Sequence, residues 1–191
     1  MKNLVVFASG TGSNARKIHE HFQDSDLAHI SLIVGNKENA GVWDLAKEND
    51  IPTLLVKKKD LESPENLLDT LRKANTDLIV LAGFLLKIPD ELVAAYPNQI
   101  INIHPSLLPK YGGKGMYGHF VHEAVVAAGE KESGITIHFV NEAYDEGAII
   151  TQQRCALDQD DTPQDVAHKV QKLEHRYFPT VVEELLLGKN G

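Results

Sequence analysis

The sequence predicts an α/β protein: a doubly wound, mostly parallel, Rossmann-like sheet with antiparallel additions at one edge and a long C-terminal helix. Three observations predict it. Short, nearly continuous apolar runs recur up to residue 104, as expected of strands covered on both faces. Segments with apolar residues at helical spacing alternate with them, as crossover helices do. After Pro109 this alternation gives way to two β-rich runs in succession and one long helical pattern.

The elements follow in order. Leu4 to Ala8 is a short apolar strand ending in Ser9-Gly10-Thr11-Gly12-Ser13-Asn14, and a helix runs from there to about Gln23 with Ile18 and Phe22 four apart. Ile30 to Val34 reads as the second strand, Ala40 to Asn49 as a helix carrying Val42, Leu45 and Ala46, and Thr53 to Val56 as a weaker strand. Lys57-Lys58-Lys59 reads as a solvated loop. Ser63-Pro64 then opens a helix, with Ser63 as N-cap and Pro64 in the first turn, that runs to about Asn75. Asp77 to Ala82 is a buried strand, Pro89 to Tyr96 a short helix, and Ile100 to His104 the last parallel strand. Tyr111 to Gly118 is a glycine-rich loop and His119 to Ala128 a helix. Gly134 to Val140 and Ala148 to Ala156 are the antiparallel additions. Thr162-Pro163 caps a final helix to about Leu187, which Gly188 ends. No repeat, low-complexity segment or linker interrupts the chain. Residues 1–191 therefore read as one domain in two halves, 1–104 parallel and 105–191 carrying the edge strands and last helix.

Bulk composition narrows the function. A chain of 191 residues with 42% hydrophobic and 24% charged residues suits a globular domain with a proper core. The formal charge of −8 argues against nucleic acid, whose phosphates need clustered cations. Cys155 is the single cysteine, so no internal disulfide is possible and a reducing compartment is expected. The opening residues are too soon polar for a signal peptide, and no apolar run reaches membrane-spanning length.

Asn102-Ile103-His104-Pro105-Ser106-Leu107-Leu108-Pro109 carries the most chemistry. Side chains at i and i+2 of a strand leave from one face, so Asn102 and His104 point together beyond its end. An amide N–H can donate to an oxygen that is gaining charge, and an imidazole can move a proton near neutral pH. Pro105 has no N–H and stops the ladder there. Either polar residue alone is more often a turn or cap former. Two aimed one way and closed by proline point to catalysis.

The glycines of Gly10-Thr11-Gly12-Ser13-Asn14 let backbone N–H groups approach an anion at a helix N-terminus. Ala15 stands at the third position of a dinucleotide fingerprint, which its relaxed form allows. Yet Val34-Gly35-Asn36-Lys37 offers no acid where a ribose-binding carboxylate is expected, so a mononucleotide or single phosphate fits better than NAD. A plain strand-to-helix turn is the alternative. Thr136 and His138 share a strand face, with Asp145-Glu146-Gly147 in the connection that follows. If Asp145 reaches His104 it can orient the imidazole and favour its charged form; a solvated acidic turn of Glu142, Asp145 and Glu146 is the other reading. His119 and His122 stand at i, i+3, but no third ligand occurs at zinc spacing, and no metal is expected.

Ser9 to Asn14, Leu81-Ala82-Gly83-Phe84, Asn102 to Pro109, His138-Phe139-Val140 and Asp145-Glu146-Gly147, in this order, resemble the 10-formyltetrahydrofolate-using formyltransferase family over nearly the whole length. The Asn-x-His-Pro-Ser-Leu-Leu-Pro block marks the wider family. The Ser-Gly-x-Gly-Ser-Asn loop and compact length resemble its glycinamide ribonucleotide branch, without the extra domains of methionyl-tRNA formyltransferases or formyltetrahydrofolate hydrolases. The resemblance implies transfer of a formyl group from 10-formyltetrahydrofolate to the primary amine of 5'-phosphoribosylglycinamide, giving formylglycinamide ribonucleotide and tetrahydrofolate in purine biosynthesis. It implies Asn102, His104 and Asp145 as catalytic residues, with His104 protonated. Gly10, Thr11, Gly12, Ser13, Asn14 and Glu174 are implied on the ribonucleotide, and Phe84, Leu85, Leu86, Lys87, Ile88, Asn141, Glu142, Ala143 and Tyr144 on the folate. The expected partners are these two small molecules, with no metal, nucleic acid or membrane, in a cytoplasmic monomer or homodimer. Two departures stand out: Leu85-Leu86-Lys87 occupies a position where many members carry Arg, and the loop from Lys110 to His119 is longer and richer in glycine than usual.

Overall fold

The computed structural model describes residues 1–189. Among these, seven strands form a single sheet: β1 (Lys2–Ala8), β2 (Ala28–Gly35), β3 (Thr53–Leu55), β4 (Leu78–Leu81), β5 (Ile100–His104), β6 (Glu132–Phe139) and β7 (Ile149–Ala156). Their order is β3-β2-β1-β4-β5-β6-β7. Pairings from β3 through to β5 are parallel, while β5–β6 and β6–β7 are antiparallel. The helices are α1 (Ser13–Phe22), α2 (Val42–Glu48), α3 (Lys58–Glu62), α4 (Glu65–Lys73), α5 (Asp90–Ala95), α6 (His119–Ala127) and α7 (Pro163–Leu186). None of them is long and apolar enough to cross a membrane.

Strand parity divides the core in two. Leu4, Val6 and Ala8 of β1, Leu78 and Val80 of β4, Ile101 and Ile103 of β5, and Ile135 and Ile137 of β6 face one cluster with α1, α2, α6 and α7. Val5, Phe7, Ile79, Leu81 and Ile100 face the other, with Leu61 of α3, Leu67 and Leu71 of α4, and Leu92 and Val93 of α5. Asn102 and His104 alternate with Ile101 and Ile103, so they share the face of Ile100, and Thr136 and His138 of β6 stand opposite them. The second face thus turns polar at its β5–β6 end.

Two local expectations change. The lysine run is not a loop: Lys58–Glu62 forms α3, because Asp60 accepts from the Lys57 backbone N–H at 2.6 Å and Leu61 has a core to enter. Ser63 therefore ends α3, and Pro64, not Ser63, takes the N-cap position of α4. At α7 the expected cap holds: Thr162 Oγ1 accepts from the Asp165 N–H at 3.3 Å while Asp165 Oδ2 accepts from the Thr162 N–H at 2.9 Å. Pro179 lies inside α7, yet the helix continues because Phe178, Val181 and Val182 are all buried beneath it.

Phe178 is fully buried. Phe178→Ala should lower the free energy of unfolding by roughly 3–5 kcal/mol through lost burial plus a cavity. Leu187→Ala, at an exposed site, should stay within about 0.5 kcal/mol of the parent. Urea titration of both variants measures the contrast.

Candidate active site

In an open α/β sheet the crevice opens where successive strands leave in opposite directions, here between β1 and β4. Two loops are stapled across it: the Ser9 N–H donates to the Gly83 carbonyl at 3.1 Å, and the Leu85 N–H to Ser9 Oγ at 2.9 Å. The loop after β1 enters α1 through Gly12, whose φ of 76° is left-handed. A Cβ there would meet Val42 at 2.7 Å, so only glycine lets this loop pack on α2. No side chain caps α1, which leaves its first N–H groups free for an anion. Asn14 turns from the loop towards α7, donating from Nδ2 to Glu174 Oε2 at 2.9 Å, and its buried Oδ1 has no partner among the described residues. Burial pushes the Glu174 carboxyl above its usual range, against the Asn14 hydrogen bond.

Asp145 organises the other end. Its Oδ2 lies 3.5 Å from His104 Nδ1 and accepts from the Gly113 N–H at 2.9 Å. Its Oδ1 lies 3.5 Å from Asn102 Nδ2 and 3.6 Å from His138 Nε2. Burial pushes this carboxyl up, but hydrogen-bond donation, from the Gly113 N–H among others, holds it below its usual range, so it is ionised at neutral pH.

The two imidazoles are set by carbonyl groups. His138 Nδ1 is 2.8 Å from the Phe139 carbonyl; a carbonyl only accepts, so Nδ1 carries the proton and Nε2 accepts from Asn102 Nδ2 at 3.1 Å. His104 Nε2 is 2.7 Å from the Tyr111 carbonyl, which places its proton on Nε2 and turns Nδ1 to Asp145. Burial lowers the His104 pKa below 6.5, outweighing the opposite pull of Asp145 and the Tyr111 hydrogen bond. The expected protonated His104 is thus corrected: without substrate the ring is neutral at pH 7, because desolvation disfavours its charge.

The side chains of Asn14, Glu174, Asn102, His104, His138 and Asp145 open on one cavity of about 1150 Å³. Gly10 to Asn14 and Glu174 line one part, Asn102, His104 and Asp145 the middle, and Phe84 to Ile88 with Asn141, Ala143 and Tyr144 another wall. Glu142, expected there, is exposed and outside the lining, because the Asx turn from Asn141 Oδ1 to the Ala143 N–H directs it outward. Lys87 lines the cavity but spends its charge on Asp90 at 2.9 Å, so it does not replace the missing arginine as a free cation. Thr136, expected beside the site, instead pins the turn after β5, donating to the Ser106 carbonyl at 2.7 Å and accepting from the Leu108 N–H at 3.0 Å.

The formyl transferase family model matches residues 2–182. The chain belongs to that family. Among its relatives, phosphoribosylglycinamide formyltransferase of Bacillus subtilis is 37% identical over 191 residues, covering 97% of this chain and 95% of the relative. The chloroplastic phosphoribosylglycinamide formyltransferase of Arabidopsis thaliana is 47% identical over 187 residues, covering 95% of this chain. This chain spans less than two thirds of that plant relative, 64%. The crystal structure of phosphoribosylglycinamide formyltransferase from Anaplasma phagocytophilum superposes with a TM-score of 0.90 at 33% identity, covering 98% of this chain and 87% of the other.

Several residues of this candidate site escape a sequence reading. His138 touches both Asn102 and Asp145; the sequence offers it only as a strand-face partner of Thr136 and as part of the His138-Phe139-Val140 motif, with no role attached. Gly113 and Tyr111 act through their backbones, which no side-chain pattern reports. His122 lines the cavity, buried, and its Nδ1 has no partner among the described residues. Among the described residues no group of three His, Cys, Asp or Glu side chains is arranged to hold a metal ion.

Burial, then the neighbouring His104 and His119, lowers His122 from 6.5 to about 4. The unfolded chain takes up this proton below pH 6.5, whereas the folded chain resists it down to about pH 4. The residue's contribution is therefore complete above pH 6.5 and is lost as pH falls towards 4. It amounts to roughly 3 kcal/mol. Urea titrations across that range should show a shallower pH slope in His122→Asn than in the parent; equal slopes would contradict it.

Proposed function

We propose that this chain transfers a formyl group from 10-formyltetrahydrofolate to the primary amine of 5'-phosphoribosylglycinamide. One juxtaposition carries the reading: a polar cluster of Asn102, His104 and Asp145 stands in a single cavity between an uncapped helix N-terminus and an apolar wall. The first suits a phosphate and the second a flat aromatic ring. The cavity is large enough for two small molecules side by side, and holding them so supplies much of the acceleration. The parallel half, 1–104, contributes the phosphate end and most of the floor; the half from 105 onward contributes Asp145, Glu174 and the outer wall. Membership of the formyl transferase family and the names of the relatives support the same reaction.

The amine itself is the nucleophile, so the protein supplies charge and proton control. Asn102 Nδ2 keeps one N–H on His138 and holds the other near Asp145 at 3.5 Å, a contact long enough to give up to the formyl oxygen as charge develops on it. The new bond joins the amine nitrogen to the formyl carbon, the bond from that carbon to the folate nitrogen breaks, and the amine's proton ends on the departing nitrogen. The Asp145–His104 pair carries that proton between them. An imidazolium formed at His104 would have an acceptor on each nitrogen, Tyr111 carbonyl and Asp145 carboxylate. Asn14 and Glu174 sit at the ribonucleotide end, where a carboxylate can accept from ribose hydroxyls.

Release of tetrahydrofolate, followed by absorbance, should require glycinamide ribonucleotide. Release without the amine would make the protein a hydrolase, and none in either case would remove the reading. Asn102→Ala, His104→Ala and Asp145→Asn should each lower kcat by roughly 10²–10³-fold. Glu174→Ala should raise KM for the ribonucleotide about tenfold while leaving KM for the folate within about twofold. Because burial holds His104 below 6.5, kcat/KM should be flat above pH 6.5 and fall as the imidazole is protonated at lower pH.

A further inference from the structure

We propose that Tyr111 and Glu130 form a latch that positions His104 for the reaction without touching either substrate. The inference rests on the formyl-transfer reading for its kinetic consequence, but its geometry stands by itself. His104 Nε2 donates to the Tyr111 carbonyl at 2.7 Å, so the orientation of the peptide at residue 111 decides which ring nitrogen bears the proton and which faces Asp145. That peptide is in an unusual conformation. Tyr111 has φ 56°, a left-handed backbone that disfavours any residue with a Cβ. Glycine would adopt it freely, and Gly112 and Gly113 follow immediately. What this tyrosine has that glycine lacks is a ring packed on the core and a hydroxyl that donates to Glu130 Oε1 at 2.9 Å.

Glu130, in the connection between α6 and β6, gathers the segment. The same Oε1 accepts from Lys110 Nζ at 2.8 Å, and the Lys110 carbonyl accepts from Ser106 Oγ at 2.6 Å. Lys110, and then Tyr111, hold the Glu130 carboxyl below its usual range, so the acceptor is ionised at neutral pH. Two residues after Tyr111, the Gly113 N–H donates to Asp145 Oδ2. One short stretch thereby sets both members of the His104–Asp145 pair. Beyond it Gly115 and Gly118 have positive φ and no neighbour within 4 Å of where a Cβ would be, while Met116 between them packs on the core. The latch separates that loop from the proton-carrying pair. Tyr111 and Glu130 line a smaller cavity of about 220 Å³, not the substrate cavity, so each acts through His104.

The test pairs kinetics with nitrogen NMR of the histidine rings at pH 8, where His104 is neutral. Tyr111→Phe and Glu130→Leu should each lower kcat about tenfold with both KM values within about twofold, and the double variant should be no slower than either. Glu130→Gln keeps an acceptor oxygen for the hydroxyl and should remain within about threefold of the parent. In the substrate-free protein the His104 signals should leave the pure Nε2–H pattern in Tyr111→Phe and Glu130→Leu while those of His138 do not move. A Tyr111→Phe protein with unchanged kcat and an unchanged His104 pattern would overturn the latch, as would additive losses in the double variant. If the parent transfers no formyl group, the functional reading fails, and the His104 signal still decides the latch.

Discussion

A carboxylate held almost out of water beside two imidazoles is the constraint on which this structure depends. The Asp145 side chain is 12% exposed and His104 and His138 still less, so its charge is stable only while N–H groups stand in for solvent. The backbone N–H of Gly113 and the amide of Asn102 serve that need, and the two rings adjust their protons to carbonyls on their far sides. The turn carrying Asp145 has little freedom of its own. Asp145 has a φ of 56°, and a Cβ on Gly147 would fall 1.7 Å from the Phe139 carbonyl oxygen. Only glycine lets the chain return to β7 so close to β6 and deliver the carboxylate to the end of β5.

The sheet makes that delivery possible by combining two kinds of pairing. Parallel strands bring the ends of β1, β4 and β5 to one edge, where the loop before α1 and the loop after β4 meet. The antiparallel strand β6 then places His138 directly opposite Asn102, and Thr136 opposite His104. Thr136 spends its hydroxyl on the turn after β5, and Gln152 of β7 donates to the same oxygen at 2.9 Å, so the strand end is braced from behind. Such bracing is what a site needs if it is to meet developing charge without rearranging.

In the transfer proposed above, the neutral His104 and ionised Asp145 suit a step that must hold a proton briefly. A permanently charged imidazole would stabilise an oxygen but have no room for the amine's proton. A neutral ring with acceptors already on both sides can take the proton and, because burial disfavours its charge, return it readily. The Tyr111 carbonyl is one of those acceptors, although Tyr111 itself stands outside the cavity that His104 lines.

Much of this was legible in the chain. Apolar runs alternating with helical patterns determined the doubly wound sheet, because both faces of its parallel strands must be buried. The i, i+2 spacing of Asn102 and His104 determined that they share a face, because side chains alternate along any strand. Local chemistry misled at Lys57 to Pro64, where a buried Leu61 outweighed three lysines and drew out a helix. Tertiary structure alone decided the rest. Asn14 meets Glu174 across 160 residues, Asp145 reaches Asn102 across 43, and Glu142 faces outward three residues from Asp145, none of which spacing reports. The protonation of His104 belongs to the same class: a residue type specifies a titratable ring, but burial and the carbonyl it meets determine where its proton sits.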